Sequence, residues 1–379
     1  MKRRFEFKLE STDGRARRGQ LHTSHGVVET PAFMPVGTQG AVKGISSMDL
    51  ESLGASILLS NLYHLVLRPG IDVIEELGGI HSFSGWHRPF LTDSGGFQVY
   101  SLSNLRQVDD DGVTFRSHVD GSTWRFTPQL VVEWQRRLGV DIAMMLDECP
   151  PWPCSEPEVE GALARTTNWA RLARQSWDPS RGALFGIVQG GVFERLRERA
   201  VTELLALDFA GYAIGGVSVG EPLEDRRRVV EGTTPLLPEH KPRYLMGVGT
   251  PLDILHAVLN GVDLFDCVLP TRNARHGVLY TRRGPLRIRN ARYRRDPQPV
   301  QEGCPCPCCR QASRALLHHL VRSGEVTGQV LATRHNVFFF LDFMKQLREA
   351  IASGETAAWA ASFALDFAES AGPQSVAGS

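Results

Sequence analysis

A single carboxylate, Asp266, interrupts the apolar run Leu264–Leu269 and directly precedes a basic stretch of the chain. Burying a carboxylate is costly unless it is paired or has a function. Pro270 follows and is expected to end any strand or helix there. Residues 272–295 then contain nine arginines and no acidic residue. Either Asp266 caps a turn before a solvated basic loop, or it is a functional carboxylate at the edge of a positive surface.

Polar or glycine residues follow several other short apolar runs in the same way. Taken singly, each is explained as a helix cap or a turn residue. Three carboxylates and an amide at the ends of strands that share one rim are better explained by an active site. The residues in these positions are Asp93, Asp147, Gln189, Gly215, Gly216, Gly247 and Asp266.

The apolar runs alternate with helical patterns about eight times. These runs are the predicted strands that must position the polar residues. This alternation within about 250 residues predicts a (β/α)8 barrel, whose chemistry lies where strands meet their following loops. The expected strands are 30–35, 55–60, 89–92, 141–146, 183–188, 211–214, 243–246 and 262–265.

Two additions to the barrel are predicted near the start of the chain and after its third strand. Period-two alternation and the turn Asp13-Gly14 predict an N-terminal β layer within the first fifty residues. Residues 113–126 predict a hairpin around Asp120-Gly121. The sequence assigns no chemistry to this hairpin.

A cluster of cysteines predicts a metal site in the C-terminal third. Cys304, Cys306 and Cys309 have the spacing Cys-x-Cys-x2-Cys, which favours Zn²⁺ over free buried thiols. Adjacent side chains point apart, so a histidine on a following helix is favoured over a neighbouring cysteine as the fourth ligand. Such a set leaves no open position and predicts a structural zinc. The candidates for the fourth position are Cys308, His318, His319 and His335.

The polar strand ends suit base chemistry on a nucleic acid. Two separated carboxylates suit displacement at a sugar carbon, where one attacks and the other transfers a proton. Asp147, Gln189 and the Gly-Gly amides fit the polar edge of a guanine-like ring. Phe97 and Met246 are candidates to stack on its faces, and the arginines supply phosphate contacts.

Composition places the protein among globular chains. Lys+Arg and Asp+Glu are both 42, so the net charge is zero and polyanion binding requires a local patch. The sequence has no apolar stretch near the ~20 residues of a membrane span. The start MKRRFEFKLE has no signal-peptide core, so we expect a cytoplasmic protein whose seven cysteines are thiols or metal ligands. We expect one barrel domain over 1–379, a zinc-binding subdomain at about 282–345 and a disordered tail at 370–379.

Eight motifs occur in an order that resembles bacterial tRNA-guanine transglycosylases, also called queuine tRNA-ribosyltransferases. The resemblance extends over nearly the whole chain. The motifs are SNLYHL, LTDSGGFQV, DEC, FGIVQGG, GYAIGGVSVGE, RYLMGVG, FDCVLPTR and the cysteine cluster with RHN.

The resemblance implies a role for each site residue. Asp266 is the nucleophile on the anomeric carbon of the wobble-position guanosine, and Asp93 is the general acid and base. The backbone of Val217 meets the aminomethyl group of the incoming base. The base site is expected to include Asp147, Gln189, Gly215, Gly216, Val217, Phe97, Met246 and Cys149. RNA contacts are expected at Gly247, Arg272, Arg275, Arg287 and Arg289. One zinc per chain is implied at Cys304, Cys306, Cys309 and His335.

The resemblance also implies the substrates and the assembly. The RNA partner is the anticodon stem-loop of tRNAs for Asp, Asn, His and Tyr, and the chain is a homodimer. Cys149 and Val219 resemble the bacterial branch, which inserts 7-aminomethyl-7-deazaguanine, whereas Ser218 is more typical of the eukaryotic branch that inserts queuine. The usual interface aromatics are replaced by Ala312 and Leu316.

Three other functions fit parts of the sequence. A non-catalytic subunit of the same family would lack the nucleophile, whereas this chain retains both Asp93 and Asp266. A zinc-containing RNA-binding module explains the arginines and cysteines and leaves the strand-end carboxylates unexplained. A retaining glycosidase explains the carboxylates and leaves the arginines without a role.

Overall fold

The computed structural model describes residues 5–102 and 106–368. The strands are β1 (Glu6–Asp13), β2 (Ala16–Thr23), β3 (Gly26–Thr30), β4 (Ala32–Pro35), β5 (Leu58–Ser60), β6 (Phe90–Thr92), β7 (Arg106–Asp109), β8 (Gly112–Arg116), β9 (Thr123–Phe126), β10 (Ile142–Met144), β11 (Ala183–Val188), β12 (Gly211–Ile214), β13 (Arg243–Leu245), β14 (Leu264–Cys267), β15 (Val278–Thr281) and β16 (Gly284–Arg287).

The helices fall between and after these strands. They are α1 (Ser47–Ser52), α2 (Leu62–Leu67), α3 (Ile71–Glu76), α4 (Gly79–Ser84), α5 (Gly96–Leu102), α6 (Pro128–Leu138), α7 (Glu156–Ser176), α8 (Glu194–Leu205), α9 (Leu223–Thr233), α10 (Pro251–Leu259), α11 (Leu269–Arg275), α12 (Pro307–Gln311), α13 (Arg314–Ser323), α14 (Val326–Ser353) and α15 (Thr356–Ala368). Single 3-10 turns lie at Thr234–Leu236 and Ala291–Tyr293.

Eight parallel strands form the barrel, in the order β4, β5, β6, β10, β11, β12, β13, β14 and back to β4. The ring closes between β4 and β5 through a parallel bridge from Val36 to Leu59, where the Gly37 N–H donates to the Leu59 carbonyl at 2.7 Å. Every residue of β5, β6, β10, β11, β12 and β13 is buried, as expected for strands enclosed by helices. The predicted (β/α)8 barrel is confirmed.

Seven of the eight predicted strand segments contain a barrel strand, and the eighth, 262–265, overlaps only the first half of β14. The sequence placed Asp266 after the strand, whereas its backbone pairs with Met34 and the strand continues to Cys267. Pro270 was expected to end any strand or helix at this point, but it lies in the first turn of α11. A proline is tolerated there because the N–H groups of a first helical turn have no partner within the helix.

The two β additions are present. Strands β1, β2 and β3 form an antiparallel sheet, which is the N-terminal layer. Strands β8 and β9 form the hairpin, and β7 extends it to three strands between the third and fourth barrel strands. The predicted tail at 370–379 lies outside the described residues.

A second, smaller core lies beside the barrel, around the cysteine cluster. It includes Leu279, Ile288, Val300, Leu317 and Ala332. The subdomain bounds of about 282 and 345 stay a prediction, since the hairpin of β15 and β16 begins at Val278 and α14 continues to Ser353. In the part of the chain described here, no helix is long and apolar enough to cross a membrane.

Candidate active site

A cavity of about 350 Å³ opens at the carboxyl ends of the barrel strands. This volume is within the range of small-molecule sites. Residues predicted for the site line it together, although they come from six different strand ends. They are Asp93, Phe97, Asp147, Cys149, Gln189, Gly215, Gly216, Val217, Met246, Gly247 and Asp266.

Asp266 is held at the cavity by two hydrogen bonds to the same oxygen. The Tyr244 hydroxyl donates to Oδ1 at 2.6 Å, and the Gly247 N–H donates to it at 2.7 Å. Burial raises the pKa of Asp266, and these two donors oppose the shift. No described residue donates to Oδ2, so that oxygen is available to a ligand.

Asp93 follows β6 and accepts hydrogen bonds at both oxygens. Oδ1 accepts from the Leu62 N–H at 2.9 Å and from the Gly95 N–H at 3.2 Å. Oδ2 accepts from the Asn61 side-chain amide at 2.5 Å and from the Gln98 amide at 2.9 Å. The carboxyl is therefore fixed in orientation by four donors.

The pKa of Asp93 differs from its ordinary value in the direction required of a proton carrier. Burial raises it to about 6, and the charge of Asp266 adds to the increase although the donors oppose it. A carboxyl with such a pKa exchanges a proton near neutral pH. The cavity thus holds one carboxylate with a free oxygen and a second that can carry a proton.

Asp147 and Gln189 form a second polar group on the cavity wall. The Gln189 amide donates to Asp147 Oδ2 at 2.7 Å, and the Ser94 hydroxyl donates to Oδ1 at 3.0 Å. Both residues are buried, and burial raises the pKa of Asp147. A carboxylate beside an amide presents acceptors and donors side by side, which suits the edge of a planar heterocycle.

Two buried amide oxygens at the cavity have no hydrogen-bond partner among the described residues. They are Oε1 of Gln189 and Oε1 of Gln98, whose nitrogens are engaged by Asp147 and Asp93 respectively. Buried polar atoms are rarely left without a partner. These two acceptors indicate a ligand that brings N–H or O–H donors.

The loop after β12 has a constrained backbone. Glu221 is buried and accepts from the Ser218 N–H at 2.5 Å and from the Val219 N–H at 2.9 Å. Ser218 has a φ of 66°, which is unusual for a residue other than glycine. In a trans peptide the C=O points opposite to the N–H, so the Val217 carbonyl faces away from Glu221.

Position 216 requires glycine for two reasons, its backbone conformation and the lack of space for a Cβ atom. Its φ is +66°, and a Cβ would lie 2.4 Å from Oε1 of Gln189. Any larger residue would displace the amide that contacts Asp147.

The predicted RNA-binding arginines lie outside the cavity. Arg272 and Arg275 are on α11, directly after the strand that carries Asp266. Arg287 ends β16, and Arg289 donates to the His276 carbonyl at 3.4 Å. Gly247, also predicted to contact RNA, lines the cavity and donates its N–H to Asp266.

The cysteine cluster is formed with a histidine from α14. Donor atoms of Cys304, Cys306, Cys309 and His335 all lie within 4.8 Å of one another. Nδ1 of His335 is 3.4 Å from the sulfurs of both Cys306 and Cys309, and its Nε2 is 2.7 Å from the Tyr280 carbonyl. This group could hold a metal ion. Of the other candidates, His318 contacts the Ile288 carbonyl through Nδ1, at 2.8 Å.

Asn336, next to His335, joins the cluster to the active-site end of the barrel. Its amide nitrogen donates to the carbonyls of Pro270 and Val278, both at 2.9 Å. Its oxygen accepts from the Tyr280 N–H at 2.9 Å. The side chain thus ties α14 to α11 and to β15.

Sequence reasoning missed the residues that hold the carboxylates in place. Asn61 and Gln98 lie in motifs already recognised, but nothing in the chain order indicates that both reach Asp93. Tyr244 looks like an ordinary buried strand residue, and Glu221 looks like a surface acid in a loop. Their roles depend on contacts between segments far apart in sequence.

Comparison with known proteins identifies the family of this chain. The family model described as Queuine tRNA-ribosyltransferase matches residues 12–369, which include the barrel and the cysteine cluster. The chain belongs to the queuine tRNA-ribosyltransferase family. The resemblance noted in the sequence is confirmed.

Curated members of the queuine tRNA-ribosyltransferase family are similar to this chain over most of their length. A protein of that name from Nitrosospira multiformis is 53% identical over 360 residues, covering 94% of this chain and 98% of the relative. One from Desulforudis audaxviator is 54% identical over 349 residues, covering 92% and 94%. One from Thiobacillus denitrificans is 52% identical over 346 residues, covering 91% and 94%.

The buried acid Asp93 is expected to reduce stability as the pH rises. Because its folded pKa is about 6 and its ordinary value is 3.8, the folded state keeps a proton that the unfolded state loses between these values. The free energy of unfolding should therefore fall over this window by about 3 kcal/mol from this group. Asp93→Asn should remove that part of the pH dependence.

The measurement is urea unfolding at pH 5.0, 6.0 and 7.5, a range over which this group should lower the free energy of unfolding by about 1.4 kcal/mol. The exposed Asp111→Asn is the control and should keep the wild-type slope. An Asp93→Asn variant with the same pH dependence as the wild type would show that Asp93 is already ionised throughout.

Proposed function

We propose that this chain is a tRNA-guanine transglycosylase that exchanges the wobble-position guanine of tRNA for 7-aminomethyl-7-deazaguanine in queuosine synthesis. The observation that carries the proposal is the pair of carboxylates in one cavity: Asp266 with a free oxygen and Asp93 with a pKa of about 6. The family match supports the same class of reaction.

In the first half of the reaction, an Asp266 oxygen attacks the anomeric carbon of the wobble guanosine. The bond between that carbon and the base nitrogen breaks, and a ribosyl ester of Asp266 forms. Protonated Asp93 transfers its proton to the departing guanine, so the base leaves neutral. The Tyr244 hydroxyl and the Gly247 N–H keep the attacking carboxylate in position.

In the second half, Asp93 is ionised and removes the ring N–H proton of the incoming base. The base nitrogen attacks the anomeric carbon, and the ester bond to Asp266 breaks. Two displacements at the same carbon retain its configuration, as in retaining glycoside hydrolysis.

The decisive test is the covalent intermediate. Asp266→Asn keeps the size of the side chain and removes the nucleophile, so a denaturing gel should show no enzyme–tRNA adduct. Asp93→Asn is the matched variant: it keeps the nucleophile and should form the adduct ~10²–10⁴-fold more slowly. An adduct in the Asp266→Asn variant that maps to Asp93 would exchange the two roles.

The base is held by its guanine-like edge. Asp147 accepts from the ring N–H and the amino group, while the Gly216 N–H and the second N–H of the Gln189 amide are the donors for the carbonyl oxygen. Phe97 and Met246 cover the ring faces, and Cys149 lies beside them in the cavity wall. These contacts are common to guanine, 7-aminomethyl-7-deazaguanine and queuine, so they do not choose among the three.

The choice among bases depends on the surroundings of the seven-position substituent. The Val217 carbonyl, turned away from Glu221, is an acceptor for a short cationic aminomethyl group. Val219 lines the same cavity and its backbone is fixed by Glu221. A valine there occupies volume that the larger ring of queuine requires.

Val219→Gly is expected to admit queuine while guanine exchange stays within a few-fold of the wild type. Overpacking typically costs ~1–3 kcal/mol, which corresponds to roughly ten- to a hundred-fold in discrimination. Competition between queuine and 7-aminomethyl-7-deazaguanine on one tRNA measures the preference. Equal incorporation by the wild type would favour the alternative, a queuine-inserting member of the family.

The RNA partner is the anticodon stem-loop of tRNAs for Asp, Asn, His and Tyr. Arg272 and Arg275 are nearest the nucleophile along the chain, while Arg287 and Arg289 extend the positive surface. Backbone phosphates are their natural ligands. We also propose that the chain acts in the cytoplasm as a homodimer. Leu316 is exposed and available to such an interface, whereas Ala312 is buried.

We propose that the metal at the cysteine cluster is Zn²⁺. Three thiolates and one imidazole are the donor set that tetrahedral structural zinc prefers. Oxygen-preferring cations are disfavoured by the same donors. The ion would fix α12 against α14, and it takes no part in the transfer of the base.

Cys306→Ala is expected to lose the metal together with folded structure in this region, since zinc binding supplies ~10–16 kcal/mol in small peptides. Elemental analysis should find one zinc per wild-type chain. Cys308→Ala is the control, because Cys308 is buried outside the four-residue group and should leave the zinc in place. Zinc loss from Cys308→Ala with retention in Cys309→Ala would contradict this ligand set.

A further inference from the structure

Arg197 is a buried arginine beneath the base-binding loops. It lies on α8, is 3% exposed and donates to three backbone carbonyls. Nε donates to Gly191 at 2.8 Å, Nη1 to Val188 at 3.1 Å and Nη2 to Gly215 at 2.9 Å. One guanidinium therefore joins the loops after β11 and β12.

No carboxylate among the described residues forms an ion pair with Arg197. Burial lowers its pKa to about 10, and the charges of Cys149 and Glu221 oppose this shift. A buried cation without a counter-ion is costly, and hydrogen bonds to carbonyl dipoles are the compensation. The guanidinium is the side chain suited to this arrangement, since its donors diverge in one plane.

The bond to Gly215 fixes the direction of the next peptide N–H. A trans peptide places C=O and N–H on opposite sides, so the Gly216 N–H is turned away from the guanidinium. Gly216 lines the cavity, and no described residue accepts from its N–H. The other two hydrogen bonds of Arg197, to Gly191 and Val188, fix the backbone on either side of Gln189.

We propose that Arg197 is a positioning residue that determines specificity for the carbonyl oxygen of the base. It touches no substrate; it holds the Gly215–Gly216 peptide so that its N–H faces the place of that oxygen. This inference rests on the proposed function, because it assumes a guanine-type base in the cavity.

A purely structural role for Arg197 would have a different outcome. It would lower stability on substitution without changing which bases bind. Arg243 is the matched control for such a role, because it is also buried, also holds carbonyls and lies on β13. Its guanidinium donates to Leu237 at 2.6 Å and to Gly261 at 3.4 Å, neither of which lines the cavity.

The test compares guanine with 6-thioguanine, which keeps the ring N–H and the amino group and replaces the carbonyl oxygen by sulfur, a weaker acceptor. Affinities are measured by calorimetry on the full zinc-loaded chain, for the wild type, Arg197→Gln and Arg243→Gln. Arg197→Gln should weaken guanine about tenfold and 6-thioguanine less than threefold. Arg243→Gln should keep the wild-type ratio of the two affinities. Where Arg197→Gln fails to fold, Arg197→Lys, with one donor group in place of the planar set, is measured.

The outcomes separate the inference from the function. A wild type that neither binds guanine nor exchanges labelled guanine into tRNA would overturn the proposed function. A wild type that does both, with an unchanged ratio of affinities in the Arg197 variant, would overturn only the inference. If the ratio of the guanine and 6-thioguanine affinities changed equally in the Arg197 and Arg243 variants, the cause would be a general loss of stability. That result would also overturn the inference.

Discussion

The active-site end of the barrel depends on holding three carboxylates without cations beside them, two of them buried (Asp93 and Asp147) and one partly buried (Asp266). In the described residues, Asp93, Asp147 and Asp266 form no ion pair with lysine or arginine; amides, hydroxyls and backbone N–H groups hold them instead. Neutral donors orient a carboxylate and leave it basic, whereas a guanidinium would lower its pKa and occupy its lone pairs. The site therefore remains reactive because its charges are only partly compensated.

A carboxylate at the other end of β14, directly before the strand begins, does lie beside a cation. Asp263, three residues before Asp266, is fully buried and lies 3.2 Å from Nε of Arg17, and it also accepts from the Arg243 N–H at 2.8 Å. Asp263 is enclosed by the barrel and does not line the cavity, so it is not available to a ligand there. Position along this segment thus separates a carboxylate enclosed by the barrel from one that lines the cavity, as the barrel rule implies.

Much of this could be predicted from the sequence, for identifiable reasons. The barrel follows from the alternation of short apolar runs with helical patterns, and the site follows because strand ends of a barrel share one rim. The cluster of Cys304, Cys306 and Cys309 was found from spacing, since a tight turn brings those thiols together. The resemblance, but not the spacing, singled out His335 as the fourth member.

The other features of the site could not be predicted from the sequence because they are contacts between distant segments. Asn61 reaches Asp93, and Arg197 holds Gly215, across intervals that no local pattern encodes. Pro270 was misinterpreted because a proline that ends a strand and one that begins a helix look alike without the backbone direction. The boundary between the barrel and the smaller core around the cysteine cluster is equally hard to predict, since α14 packs into both cores.

Helix α14, which is shared by the two cores, is held by contacts at several points along its length. Its 28 residues span about 42 Å. Near its middle, His335 and Asn336 fasten it to the cysteine cluster and to α11; farther along, Arg348 donates to the Pro31 carbonyl beside β4. A rotation of the helix about its axis would disturb its contacts with the cysteine cluster, with α11 and with Pro31 at the same time. One helix thus connects the cysteine cluster to α11, the helix that directly follows the strand carrying Asp266.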